Sequence, residues 1–278
     1  MLLSLRESRR ELPPGPIAQA MKIHFVSDTH LESWRVQPPY MGRWPGDASV
    51  TVLAGDISNG AQGVSWAARQ ARIRNQKVIY IPGNHEFYGH DLPTLRAALR
   101  DRAKSLPEVI LLDDDTAVID GVRFVGATLW TDYLGDTGSL GQNMARAAVG
   151  LMDHYRIRNN GSGLFMPADA LRLHRASRGF IEAELARPFD GPTVVVTHHC
   201  PSMRCNHPGF GSDSLAPAFC SNLDDVIRTY QPAVWICGHT HAPVDFQIGV
   251  TRVVNNPVGY PGELAANQHN LAPNVIDV

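Results

Sequence analysis

Five times along this chain a short run of apolar residues ends abruptly in a polar loop. Residues 22–27 (KIHFVS) run into Asp28, and 49–54 into Gly55-Asp56. In the same way 77–81 meet Pro82-Gly83-Asn84-His85, 193–197 meet His198, and 233–237 meet Gly238-His239. Runs of this length, rich in Val and Ile and bounded by Gly, Asp or Asn, predict buried strands that deliver polar residues at their carboxyl ends. Between them, residues 63–74, 92–104 and 222–230 repeat apolar side chains every three or four positions and predict helices. Asp120-Gly121 predicts a hairpin joining 116–119 to 122–127, and Gly249 one joining 244–248 to 251–254. Strand–helix alternation with interspersed hairpins predicts an α/β fold of mixed sheets with helices on the outer faces. Residues 141–187 read as helical apart from a break at 159–163 (NNGSG), a helical pair inserted into the strand series.

Composition narrows the class. A chain of 278 residues with 44% hydrophobic and 19% charged residues can bury one sizeable core, and one domain over 21–278 is expected. No apolar run approaches the roughly 18 residues of a membrane span. The first twenty residues carry charges where a signal peptide needs an apolar stretch, and prolines where a helix needs none. They read as a disordered leader of a cytoplasmic protein, the domain starting at Met21. A net charge of −2 leaves no broad footprint for nucleic acid. Cys200, Cys205, Cys220 and Cys237 contain no C-x-x-C pair, so neither a disulfide framework nor a thiolate zinc site is expected, only reduced thiols.

The strand ends carry Asp28-Thr29-His30, Gly55-Asp56, Gly83-Asn84-His85-Glu86, His198-His199 and Gly238-His239-Thr240-His241. Any one of these could be ordinary turn chemistry. Together they occupy the place where open α/β sheets build their sites, and His239 and His241, two apart on an extended segment, point the same way. Carboxylate and amide oxygens with imidazole nitrogens and no thiolate suit Mn, Fe, Zn or similar ions. Asp28, His30, Asp56, Asn84, His198, His239 and His241 are enough groups for two ions.

The order D-x-H, G-D, G-N-H-(D/E), H, G-H-x-H resembles that of the calcineurin-like metallophosphoesterases, from Asp28 through His241. The resemblance implies a four-layer α/β/β/α sandwich of two mixed sheets and hydrolysis of phosphate esters at two divalent ions (Mn, Fe, Zn, Ni or Co). It puts Asp28, His30 and His241 on one ion, Asn84, His198 and His239 on the other, and Asp56 between both. His85 then lies beside the substrate without binding metal. A carboxylate readily bridges two cations, which suits Asp56, and a metal-bridging hydroxide would be the nucleophile. His85 would neutralise phosphoryl charge or protonate the leaving group. Glu86 reads either as a partner orienting His85 or as a solvated loop residue, His199 as a packing histidine, and Asp113-Asp114-Asp115 as a solvated turn.

For the substrate, Asn84, His85 and Arg204 are the candidate contacts, and loops 128–133 and 202–221, the latter holding Arg204 and Phe210, are candidate pocket walls. Asn256-Pro257 and Gly259-Tyr260, after the last hairpin, resemble a recurrent terminal element of bacterial relatives and read equally as a simple turn. Phosphoprotein phosphatases of the family carry Arg beside Gly-Asp and before Gly-Asn-His, where this chain has Ile57-Ser58-Asn59-Gly60 and Pro82. That departure favours small-molecule phosphodiesters or monoesters. A non-catalytic metal-bound scaffold is opposed by the complete ligand set, and a nuclease by the lack of a concentrated basic run.

Overall fold

The computed structural model describes residues 20–35, 45–135, 138–161, 163–207, 209, 215–263 and 275–278. The leader expected over 1–20 falls outside them except for residue 20, as does Phe210. In the first sheet β1 (Lys22–Val26), β2 (Val50–Ala54), β3 (Lys77–Ile81) and β4 (Val109–Leu111) run parallel in that order. The second sheet has two hairpins at its edges, β5 (Asp115–Ile119) with β6 (Val122–Ala127) and β11 (Val244–Ile248) with β12 (Thr251–Asn255). Between them lie β9 (Thr193–Thr197) and β10 (Val234–Cys237), so that β6, β9, β10 and β12 are parallel neighbours. A terminal strand unforeseen from the sequence, β13 (Val275–Asp277), pairs antiparallel with β1 and closes the first sheet's edge.

The alternation of side chains divides each buried strand between two cores. Val50, Val52 and Ala54 of β2 and Ile79 and Ile81 of β3 face Phe124, Val194, Val196 and Ile236 of the second sheet. Their neighbours Leu53, Val78 and Tyr80 face Ala67, Ala71, Leu95 and Leu99 of the helices α1 (Gln62–Arg74) and α2 (Leu92–Lys104). A slip of one residue in register would exchange these faces, which is why the strand pairing is specified. At about 1.5–3 kcal/mol for each fully buried Val, Leu, Ile or Phe, the inter-sheet layer is a principal source of stability. Asp91 caps α2 by accepting the Thr94 N–H at 3.3 Å, and Asn75, at φ 52°, ends α1 in the left-handed conformation.

Residues 140–187 form more than an inserted helical pair. They comprise α3 (Leu140–Gly150), the single turn α4 (Asp153–Arg156), a small hairpin of β7 (Arg158–Asn159) and β8 (Gly163–Leu164), and α5 (Pro167–Ala186). The helix α5 presents Ile181 to Val125, Val195 and Trp235 and, with α6 (Asp224–Tyr230), supplies the outer layer of the second sheet. The four layers are therefore α/β/β/α, and much of the apparent insertion is an integral layer. Asp113 also departs from the solvated turn expected of it: it is buried, and Arg96 grips it through Nη2 at 2.6 Å and Nε at 2.8 Å. No helix among the described residues is long and apolar enough to cross a membrane.

Candidate metal centre

The carboxyl ends of β1, β2, β3, β9 and β10 bring two groups of ligating atoms together at the rim between the sheets. Asp28, His30 and His241 form one group, and Asp56, His198 and His239 the other, the atoms of each group lying within 4.8 Å of one another. Asn84 joins the second group, its Oδ1 lying 3.0 Å from His198 Nε2. Asp56 stands between them, with Oδ1 3.3 Å from His198 Nε2 and Oδ2 3.8 Å from His30 Nε2.

Hydrogen bonding on the far side of each ring shows which atoms remain to bind a cation. His30 Nδ1 lies 3.2 Å from Glu32 Oε1, and His241 Nδ1 lies 2.7 Å from Glu263 Oε2. Carboxylates accept, so the ring proton sits on Nδ1 and both Nε2 lone pairs face one another at 3.0 Å. That contact is repulsive between neutral rings and is what two adjacent ligands of one ion require: metal–nitrogen bonds of about 2.1 Å at a right angle put the nitrogens about 3.0 Å apart. His198 repeats the logic. Its Nδ1–H donates to Ala54 O at 2.9 Å, leaving Nε2 to face two more acceptors, Asn84 Oδ1 and Asp56 Oδ1. The Asn84 amide is turned by its own Nδ2, which donates to Asp153 Oδ1 at 2.8 Å. His239 Nε2 is buried with no hydrogen-bond partner. Such a convergence of Nε2 atoms and side-chain oxygens fits divalent cations. Without one, a second proton on His198 answers Asp56: burial lowers the pKa of that imidazole, but the charge of Asp56 outweighs it and raises it to about 10.

The backbone is bent to make this happen. Asp28, His30, Asp56, His239 and His241 have φ of 53°, 43°, 54°, 71° and 51°, in the left-handed region that costs most non-glycine residues about 1–3 kcal/mol and clusters at functional sites. Cross-loop bonds hold the strained turns: Asp28 N–H donates to Gly55 O and His30 N–H to Asp56 O, each at 3.0 Å, and His239 N–H donates to the Asp28 carboxylate at 3.0 Å. Close approach demands two glycines. A Cβ on Gly55 would strike the His198 ring, and one on Gly83 the Asp56 carboxylate.

Burial works to raise the pKa of Asp56, but His198 and His85 hold it well below the usual carboxylate range. Burial likewise opposes ionisation of Glu32, yet its bonds to His30 and His85 bring it down to about 2. For His85, burial lowers the pKa, and the charges of Asp56, Glu32 and Asp153 outweigh it, so the net shift is upward. The His85 side chain is 16% exposed, with Nδ1 3.6 Å from Glu32 Oε1 and Nε2 3.3 Å from the Tyr260 hydroxyl. Glu86 is neither solvated nor the partner of that ring. Fully buried, it accepts N–H bonds from Asp56, Ile57, Ser58 and Gly83 and the Tyr80 hydroxyl, and so ties the second and third ligand loops together. Glu32 takes the place beside His85, and its signal was present in the spacing Asp28-x-His30-x-Glu32. Asp153 and Glu263, distant in sequence from what they touch, left no such signal.

A cavity of about 490 Å³ opens over this cluster, walled by His85, Tyr88, Leu151, Met152, Phe219 and Tyr260. Asn84 also lines it, whereas Arg204 does not: its Nη1 donates to Gln247 O at 3.0 Å and its guanidinium stacks 4.0 Å over Phe246. The 202–221 loop reaches the cavity through Asn206, His207 and Phe219 instead. The 128–133 stretch is a buried brace in which Trp130 packs on Phe165 and Asp132 accepts the N–H groups of Leu134 and Asn222. His199 is buried between Trp130 and His239, its Nδ1 3.2 Å from Thr128 O.

Comparison with known proteins bears on this geometry. An uncharacterized protein of Acanthamoeba polyphaga mimivirus is 24% identical over 263 residues, 87% of this chain and 92% of that one. Among solved structures, the Mycobacterium tuberculosis phosphopantetheinyl hydrolase shares the fold at a TM-score of 0.71 and 18% identity, over 94% of this chain and 97% of that one. A Thermus thermophilus protein does so at 0.52 and 14%, over 93% and 98%. Residues 21–243, most of the chain, match the calcineurin-like phosphoesterase family. The protein is therefore a member of the calcineurin-like phosphoesterase family, and a phosphoesterase.

Proposed function

We propose that the protein hydrolyses phosphate diesters or monoesters of small molecules. Asp28, His30 and His241 would hold one divalent ion, Asn84, His198 and His239 a second, and Asp56 would be shared. The observation that carries this reading is the convergence of acceptors: His30 Nε2 and His241 Nε2 3.0 Å apart, and His198 Nε2 3.0 Å from Asn84 Oδ1, each histidine having its other ring nitrogen engaged. When bound, such ions (Mn, Fe, Zn, Ni or Co) supply Lewis acidity, activating water and neutralising charge on a phosphoryl group.

The chain's own residues do the rest. Asp153 and Tyr88 hold the Asn84 amide in one orientation. His85, with Glu32 near Nδ1 and the Tyr260 hydroxyl 3.3 Å from Nε2, lines the cavity, where Nε2 would donate to a phosphoryl oxygen or to the departing alkoxide. Leu151, Met152, Phe219 and Tyr260 offer apolar and aromatic surface for the organic part of the ester, and a cavity of about 490 Å³ suits a small molecule.

The test is to strip the protein of metal, reload it separately with Mn, Zn, Ni and Mg, and assay chromogenic phosphate monoesters and diesters. A phosphopantetheinyl conjugate belongs on the panel because the protein of similar fold is named for that group. Turnover should require metal, disappear in Asp56→Asn, and fall about 10²–10⁴-fold in kcat in His85→Ala. Absence of turnover with every metal and substrate, or full activity in Asp56→Asn, would overturn the proposal.

A further inference from the structure

All four cysteines of the chain, though scattered in sequence, lie in one buried cluster behind the second sheet. Cys200, Cys205, Cys220 and Cys237 are each fully buried and free of disulfides. The Cys200 and Cys237 sulfurs lie 3.8 Å apart, and those of Cys200, Cys205 and Cys237 are all within 4.8 Å of one another. Cys220, outside that spacing, lies beside them in the same buried cluster, its backbone forming a parallel bridge with Cys200. Each comes from a different segment: Cys237 ends β10, Cys200 follows β9, Cys205 closes a short 3₁₀ turn (Met203–Cys205), and Cys220 precedes α6.

We propose that these four thiolates form a structural tetrahedral zinc site, separate from the dinuclear centre. Zinc–sulfur bonds of about 2.3 Å at tetrahedral angles put neighbouring sulfurs about 3.8 Å apart, the separation found between Cys200 and Cys237. Buried single cysteines are commonplace in cores. The convergence of every cysteine in the chain, from four segments, is what core packing alone leaves unaccounted for. The Cys200 thiol donates to Gly238 O at 3.1 Å, a bond that zinc would replace, since each ligand gives up its proton on binding. Thr240 Oγ1, 3.8 Å from Cys200 Sγ, is the hydroxyl placed to face the thiolate.

The location states what such a site would do. Cys200 lies two residues after His198 and Cys237 two before His239, so the cluster braces both second-sheet segments of the metal centre. Cys205 and Cys220 bracket the loop whose Asn206, His207 and Phe219 line the cavity. Zinc would pin both ends of that loop to the sheet.

The experiment is metal analysis of the purified full chain under reducing conditions, followed by cobalt substitution. One zinc per chain is expected to survive chelation that empties the His/Asp centre, and to leave on titration with a mercurial thiol reagent. Cobalt in that site should show intense near-ultraviolet thiolate-to-metal charge transfer, which the oxygen and nitrogen ligands of the other centre do not produce. Cys205→Ser and Cys220→Ser should each lose this equivalent and retain metal at the dinuclear centre. If the variants fail to fold, the zinc content and cobalt spectrum of the unaltered chain decide. Absence of zinc released by thiol reagent, absence of the charge-transfer band, or a disulfide among the four in mass spectrometry would overturn the proposal, whatever the phosphoesterase assays show.

Discussion

In Glu86→Gln an NH₂ group replaces one carboxylate oxygen inside a pocket made of donors. Oε2 accepts the N–H groups of Gly83 at 2.7 Å and Asp56 at 3.1 Å, and Oε1 accepts Ile57 N–H at 2.8 Å, Tyr80 O–H at 2.8 Å and Ser58 N–H at 3.4 Å. Whichever oxygen the amide nitrogen replaces, at least two buried donors lose their acceptor and meet a third donor. Bonds to a charged acceptor are worth about 1.5–3 kcal/mol each, so two lost bonds cost about 3–6 kcal/mol. An opposing effect reduces this: burial and the charge of Asp56 push the Glu86 carboxyl up to about 7, so the glutamate is itself an expensive group to bury. A net loss of about 3 kcal/mol is expected. At about 2.1 cal/mol/K of unfolding entropy per residue, that lowers Tm by roughly 5 °C, read by calorimetry on metal-free protein. Glu86→Ala, which abandons all five donors, should cost more. Because Glu86 ties the Asp56 and Asn84 loops together, weaker metal retention should accompany the loss, and a cycle with Tyr80→Phe should give a coupling of about 1 kcal/mol. If Glu86→Gln unfolds within about 0.5 kcal/mol of wild type, as a solvated loop glutamate would, the reasoning is wrong.

Two further outcomes follow from groups away from the cavity. Asp113→Asn removes the charge that Arg96 grips through two bonds and Arg100 through one at 3.1 Å. Allowing for the partial exposure of both arginines, urea unfolding should show a loss of about 2 kcal/mol, against almost none for a carboxylate in a solvated turn. His24 and His174 are buried, and burial brings each down to about 4, aided by nearby Arg74 for His24. Since their folded pKa lies below the unfolded value of about 6.5, the unfolded chain binds protons first. Their contribution is intact above pH 6.5 and falls through the window down to pH 4, by about 2 kcal/mol per group at pH 5. Denaturation at pH 7 and pH 5 should show a shallower acid loss in His24→Asn/His174→Asn than in the unaltered chain; equal acid loss in both would exclude these histidines as its source.

Much of the architecture was legible because its causes are local. Apolar runs ending in Asp28, Asp56, Asn84, His198 and His239 announce strands and polar strand ends, and the helices over α1 and α2 follow from three- and four-residue spacing within one segment. The five motifs were readable for the same reason: each is a few adjacent residues whose type already limits the chemistry. What the chain order could not reveal was decided by sheet pairing and burial, which join residues with no sequence relation. Asn84 acquires its orientation from Asp153, and His241 its tautomer from Glu263. Glu86 became a buried hub because two loops fold over it, and Arg204 turned to Phe246 and away from the cavity. The cysteines make the point most sharply. Their spacing holds no pattern, and only the parallel pairing of β9 with β10, with Cys220 returning beside Cys200, brings the sulfurs of Cys200, Cys205 and Cys237 together and the fourth cysteine next to them. Periodicity is a property of one segment, whereas convergence is a property of the pairing among segments.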